Sequence, residues 1–362
     1  MLLLLGGSVA VAGPLAAPAG ATTFNVTNAN DSGAGSLRQA LADAASAAGP
    51  NTVVVQAGLG TIVLSSEISW SASAAVTITG NGAVVNLNGQ SRGLVDEGGK
   101  GVTVDGLTVT GGGGTAVHDA AAIVSEGGAV AASNCTLSNN HLTTTTGDIA
   151  GGVLSEGGAV SITGCTITGN TASGTRDAAG GVNSEGGAVT LTSSTVTANT
   201  ATTSGGDVAG GVLSEGGPVI VASSTISGNR GTTSSGDAGG GLLSEGGPVT
   251  ARTPHIDCNN ATTSGDGSDA GGGINSNGGN VTTNDGSIVG NAASATGGGT
   301  ATGSVHVAGA TASLNNTTVS DSTASCAAPP TTTTTAPAPA TTTTAPPAVA
   351  PQAVAATPAF TG

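Results

Sequence analysis

The chain has 362 residues, of which 64 are glycine and 1% aromatic, with 6 Lys+Arg against 21 Asp+Glu. A net charge of -15 excludes a nucleic-acid-binding face or a patch for anionic membranes, because both need clustered Lys and Arg. The apolar residues are Ala, Val, Ile and Leu without aromatic anchors, which excludes a thick globular core and suits thin, stacked repeats.

The chain opens with an apolar run from Leu2 to Val11, followed by small residues ending in Ala19-Gly20-Ala21. This reads as a secretory signal over residues 1–21, cleaved after Ala21. Its basic leader is missing, as a start upstream of this Met would produce. The run falls short of the roughly 20 apolar residues that a spanning helix requires, so no transmembrane segment is expected. In DSGAGSLRQALADAASAAG, Ser36 is the N-cap of a short helix and Gln39 stands where a capping box needs it. Leu37, Ala40, Leu41, Ala44 and Ala48 form its apolar stripe. Such a helix closes the open end of a stack.

Residues 22–326 repeat. Near-copies of GGVLSEGGAVSITGCTITGN place glutamates at Glu126, Glu156, Glu185, Glu215 and Glu245, and Asn277 takes the place of a sixth. Spacings of 29 to 32 residues indicate a solenoid. Runs such as AVSIT alternate apolar and polar residues and stop at glycine pairs, which is strand patterning. Helical periodicity is missing between copies, so each unit reads as three short strands and three turns, one coil of a parallel β-helix. About nine or ten coils fit the length at this period. A branched aliphatic precedes Asn81, Asn140, Asn170, Asn199, Asn229, Asn259 and Asn291 by three residues. Asparagine tolerates the left-handed conformation of a tight turn, and its amides can stack into a ladder. Val153, Val182, Val212, Leu242 and Ile274 then face inward, Ser155, Ser184, Ser214, Ser244 and Ser276 share that parity, and the glutamates face outward.

The outward glutamates form one column. Asp148, Asp177, Asp207, Asp237 and Asp269 form a second, each eight residues before its Glu or Asn. Unit charges about 5 Å apart repel by roughly 0.8 kcal/mol even in water, so such columns raise pKa values or recruit cations. Ca²⁺, with its flexible oxygen coordination, is the ion that Glu126, Glu156, Glu185, Glu215 and Glu245 would take. The plainer reading is a solvated acidic face. Neighbouring coils bring Cys135 over Cys165, within disulfide reach, and Cys258 and Cys326 remain to clasp the chain end to the body. Thr136/Ser138, Thr166/Thr168, Thr195/Thr197 and Thr225/Ser227 flank inward aliphatics and make two hydroxyl rows, the array a regular lattice such as ice would need. The segment Arg252–Asp257, RTPHID, breaks the repeat. His118, His141, His255 and His306 lack metal-ligand spacing.

FNVTNANDSGAGSLRQAL resembles the N-terminal segment of exported bacterial right-handed parallel β-helix proteins of the pectate-lyase-like superfamily. Gly151-Gly152-Val153 and Ile167 to Asn170 resemble the Gly-Gly-aliphatic and aliphatic-x-x-Asn pairs of polymorphic outer-membrane protein repeats. The resemblance implies an all-β, single-stranded right-handed parallel β-helix over roughly residues 22–322. It does not fix an activity, because these solenoids host lyases, hydrolases and adhesins. A lyase would need acids beside an Arg or Lys base. Arg38, Arg92, Lys100, Arg176, Arg230 and Arg252 stand outside dense acid clusters, and Trp70 is the one Trp that could stack a sugar.

Residues 327–362 change to blocks of Thr, Pro and Ala, which reads as a disordered, extended stalk. The terminus Pro358-Ala359-Phe360-Thr361-Gly362 resembles a sortase sorting signal, with Thr361 as the anchoring residue. The hydrophobic and basic stretches that should follow are missing, as in a chain truncated here or released. The sequence thus predicts a monomeric, extracellular or wall-attached rod. It is expected to contact a glycan or surface ligand without catalysis and to need no cofactor beyond Ca²⁺. A degenerate carbohydrate-active enzyme is the alternative.

Overall fold

The computed structural model describes residues 20–321 together with Cys326. The signal reading, apart from Gly20 and Ala21, and the stalk with Thr361 lie outside the described residues. The body is a parallel β-solenoid of about ten turns, with every strand pairing parallel to its equivalent in the next coil. Three sheets run along most of its length. Sheet I has eleven strands, from Thr23–Val26 to Ala312–Asn315; sheet II has ten, from Thr61–Val63 to Thr318–Ser320; sheet III has nine, from Ile68–Trp70 to Val305–Ala308.

A single coil shows the path. Strand Val212–Glu215 of sheet III turns through Gly216-Gly217 into Val219–Ala222 of sheet I, then into Thr225–Ser227 of sheet II. Val212, Val219, Val221 and Ile226 point into a common interior and are fully buried. Their equivalents stack in register, Val182 on Val212 and Val189 on Val219, so each coil covers the apolar face of the last. Burial of each such side chain contributes about 1.5–3 kcal/mol, which no isolated coil could gain.

The expectation of three strands per coil is corrected. From Thr115 onward the chain makes a further excursion between sheets II and III. Strand Arg230–Thr233 belongs to a seven-stranded sheet IV, and Ala238–Gly239 to a six-stranded sheet V. These two sheets enclose a second, thin core of Ala172, Ala201, Val208, Ala238 and Ala261. Sheet V also lies against the outer face of sheet III, where Ala179 and Ala209 pack with Leu213 and Leu243, and Ala150 with Leu154. Sheet III is therefore covered on both faces, and Val212, Leu213 and Ser214 are all buried. Sheets IV and V form a lobe along the side of the rod.

The first turn of the solenoid is covered by a helix over Leu37–Ser46. The Ser36 side chain accepts the Gln39 backbone N–H, and Leu37, Ala40, Leu41 and Ala44 are buried against the first coil. Two expectations differ here. The Gln39 amide donates to Asp43 instead of returning to Ser36, and Ala48 lies beyond the helix, exposed. Two disulfides tie coils together. Cys135–Cys165 joins adjacent turns with Cα atoms 4.5 Å apart, and Cys258–Cys326 joins the last described residue to an earlier coil at 5.5 Å.

Candidate functional site

Three files of polar side chains run along the rod, and their neighbours decide what each can do. The first is the asparagine file at the end of sheet II. Asn140, Asn170, Asn199, Asn229, Asn259 and Asn291 are at most 1% exposed. The Asn199 carboxamide oxygen accepts both the backbone and the side-chain N–H of Asn170, each at 3.0 Å. Its own Nδ2 donates to Asn229 Oδ1 and to the Ile167 carbonyl, again at 3.0 Å. Every hydrogen-bonding site of the buried amide is thus used, and the file is structural. Two details depart from the sequence reading. The left-handed residue is the one before each asparagine, such as Asn139, Gly169, Ala198, Gly228 and Cys258. Asn81 is not in the file: it is itself left-handed, follows a sheet I strand, and donates to the Val55 carbonyl.

The second feature is a seam of carboxyl groups. The glutamates leave the outer face of sheet III as expected, yet the lobe folds over that face and leaves them only part-exposed instead of solvated. Opposite them, in the loop entering sheet V, stands the aspartate file. Asp177 Oδ1 accepts the Asp207 backbone N–H, and Asp207 Oδ1 accepts that of Asp237, both at 2.6 and 2.6 Å. The same bond recurs from Asp119 to Asp148, Asp148 to Asp177, and Asp237 to Asp269. This pins each aspartate beside a glutamate of the following coil. The carboxyls of Glu156 and Asp119, Glu185 and Asp148, and Glu245 and Asp207 meet within hydrogen-bonding reach.

Two touching carboxyls cannot both ionise at ordinary cost, which favours the protonated form of the glutamate in each pair. The hydrogen bond with Asp119, aided by burial, pushes Glu156 up to about 8. Burial, then the Asp148 charge, pushes Glu185 up to about 9. Burial pushes Glu215 and Glu245 up to about 8, with Asp177 and Asp207 respectively adding to it. Burial also raises Asp177 and Asp237. One oxygen each of Glu156, Glu185 and Glu215 is dry and lacks a hydrogen-bond partner. At one end of the seam Arg92 pairs with Glu126 at 2.8 Å, and at the other His306 Nε2 lies 3.1 Å from Asp269 Oδ2. Between them, the mostly exposed Arg176 stands 3.5 Å from Asp148. Glu126, the first of the five glutamates, is thereby neutralised by Arg92. Among the described residues, no three His, Cys, Asp or Glu side chains converge as a metal-binding group.

The third feature is the outer face of sheet II. Thr136/Ser138, Thr166/Thr168, Thr195/Thr197 and Thr225/Ser227 are in register on successive strands, and Thr108/Thr110 extends the rows by one coil. Thr197 donates to the Thr168 hydroxyl at 3.2 Å along one row. His255 and Asp257 continue in register where the sequence repeat breaks, replacing both hydroxyls.

Of the bases named from the sequence, Arg38 pairs with Asp31, Arg92 stands beside both Glu67 and Glu126, and Arg176 lies near Asp148. Trp70 is buried at 3% exposure within the main core and offers no platform for a sugar. Arg176 and Arg252 lie on different coils and different sheets' margins. Sequence reasoning missed Asp119, the facing of the two acid files, and the buried Asn183. The legible signal was Val-Leu in GGVLSEGG: adjacent apolar residues in a strand mean that both faces are covered.

These features define a parallel β-solenoid carrying a side lobe closed by an acid seam. Comparison with known proteins found no matching family model, no matching curated protein and no matching solved structure. Among the described residues, no helix is long and apolar enough to cross a membrane.

Proposed function

We propose that the protein is a non-catalytic surface rod, exported and held at or near the cell wall, that contacts an extracellular glycan through its hydroxyl-bearing face. The observation that carries this reading is the register of the Thr and Ser pairs over five consecutive strands of sheet II. Parallel strands about 4.8 Å apart repeat the same hydroxyl pair, giving many weak, equivalent hydrogen-bonding points to a polymer. A catalytic site would break such a repeat once and gather an acid, a base and a sugar platform there. The apolar N-terminus and the Thr/Pro-rich C-terminal segment support export and attachment. Calcium remains subordinate in this reading, since each acid pair supplies two carboxyls where Ca²⁺ takes six to eight oxygens.

The test pairs glycan-array binding with an assay for unsaturated uronides released from polyuronides. Binding without turnover is expected, weakened by Thr166→Val with Thr195→Val. Turnover abolished by a chelator would establish the pectate-lyase-like alternative instead. The same rows favour a second reading, binding to ice or another crystal surface. Thermal hysteresis at high protein concentration would establish it, and its complete absence would remove it.

A further inference from the structure

We propose that the lobe of sheets IV and V is fastened to the rod by protons shared across the carboxyl seam, so that it opens as those protons leave. The interface has two parts. Its apolar part is thin, made of Ala150, Ala179 and Ala209 against Leu154, Leu213 and Leu243. Its polar part is the seam, where Glu156, Glu185 and Glu245 on sheet III touch Asp119, Asp148 and Asp207 on the lobe.

An ionised acid pair repels across this boundary, whereas a pair holding one proton is joined by a strong, charge-assisted hydrogen bond. The same groups therefore attract or repel according to one proton each. Asp119, Asp148 and Asp207 are kept from turning aside, because Oδ1 of each is held by a backbone N–H of the next coil. Among the described residues, the one base near the pairs in the middle of the seam is the mostly exposed Arg176. The charged groups facing the seam are Arg92 with Glu67 and Glu126 at one end, Asp237, Asp269 and His306 at the other, and Arg176 above Asp148. Glu215 stands between, facing Asp177.

A separate observation marks unfilled polar capacity at the same face. Asn183, two residues before Glu185 and on its side of the strand, is wholly buried with neither amide atom partnered. Its neighbours in register are Leu154 and Leu213, so the position belongs to the lobe interface. At the equivalent position, the Asn275 amide donates to the Asp269 carbonyl at 3.3 Å, which shows that side chains here reach towards the aspartate loop. The raised values of the glutamates agree with a seam that keeps its protons at neutral pH.

Amide hydrogen exchange on the full chain, in chelator, tests the proposal. Between about pH 6 and pH 9, protection factors in strands Thr200–Thr203 and Val208–Ala209 should fall about tenfold or more, with those in Val219–Ala222 retained. Glu185→Gln with Glu245→Gln places N–H donors that do not titrate opposite Asp148 and Asp207, and should flatten the fall in these coils. Protection that does not change with pH overturns the proposal, as does loss spread equally over all sheets. An undiminished fall in the double variant overturns it as well. Lobe protection at pH 6 that disappears on adding chelator would make the fastener a divalent cation, and also sinks it. The wild-type comparison between lobe and sheet I stands even if the double variant does not fold.

Discussion

Asn199 illustrates how one residue type decides the rod at the smallest scale. Its amide accepts two N–H groups from Asn170 and donates to Ile167 and Asn229, all in the dry interior of a turn. Replacing it with alanine strands the Asn170 backbone N–H and the Ile167 carbonyl, and a buried orphan costs roughly 1–3 kcal/mol. Asn199→Ala is therefore expected to lower stability by about 3 kcal/mol, read as a lower urea midpoint; an unchanged midpoint would mean that water replaces the amide. The aliphatic-x-x-Asn spacing made this file legible in the sequence, because it recurs with the repeat. The conformation around it was not legible. Asparagine is the usual left-handed residue, yet here the preceding residue takes that role and frees the asparagine to turn inward.

At the scale of the strand and turn, the glycine pair after each glutamate does two different jobs. Gly186 has a φ of 104°, a conformation that residues with a Cβ avoid. At Gly187, a Cβ would collide with the Gly158 carbonyl of the coil beneath. Stacking distance is fixed by the backbone hydrogen bonds of three sheets, so the coils cannot part to admit a methyl group. Gly187→Ala should destabilise by about 1–3 kcal/mol through overpacking, with the loss appearing in thermal melts. A melt like that of the parent chain would show that the turn can shift. The strands of sheets I and II were readable from alternation. Sheets IV and V were not, because Thr-Ala-Thr-Thr and Val-Ala-Gly-Gly are short, small and rich in turn formers. Their strand character comes from pairing with the same segment one coil away.

For the molecule as a whole, the acids give stability an uncommon dependence on pH. Glu156, Glu215 and Glu245 at about 8 and Glu185 at about 9 bind protons in the folded state that an unfolded glutamate, at 4.5, releases. Stability from these groups is fully present below pH 4.5 and is lost as pH rises through 8 to 9. Asp105, held by Ser133 and Asn134, is lowered and acts in the opposite sense, but only in stronger acid. The melting temperature is therefore expected to be highest in mild acid and to decline steadily towards pH 9. A rise over that interval, measured by calorimetry at constant ionic strength, would contradict the assignment of protons to the seam.

The sequence by itself determined the stack: a period of 29 to 32 residues, alternation within it and glycine between strands leave few ways to bury the valines. It also determined the membership of each file, since identical residues one period apart must line up once coils are superposed. Only the tertiary structure decided which files meet. Whether the glutamates face water or the aspartates depends on an excursion that brings residues about 30 to 40 apart in sequence into contact across coils. Periodicity reports position along the rod and parity within a strand. It carries no record of a neighbouring lobe, because that neighbour is set by the direction in which the chain leaves the asparagine turn.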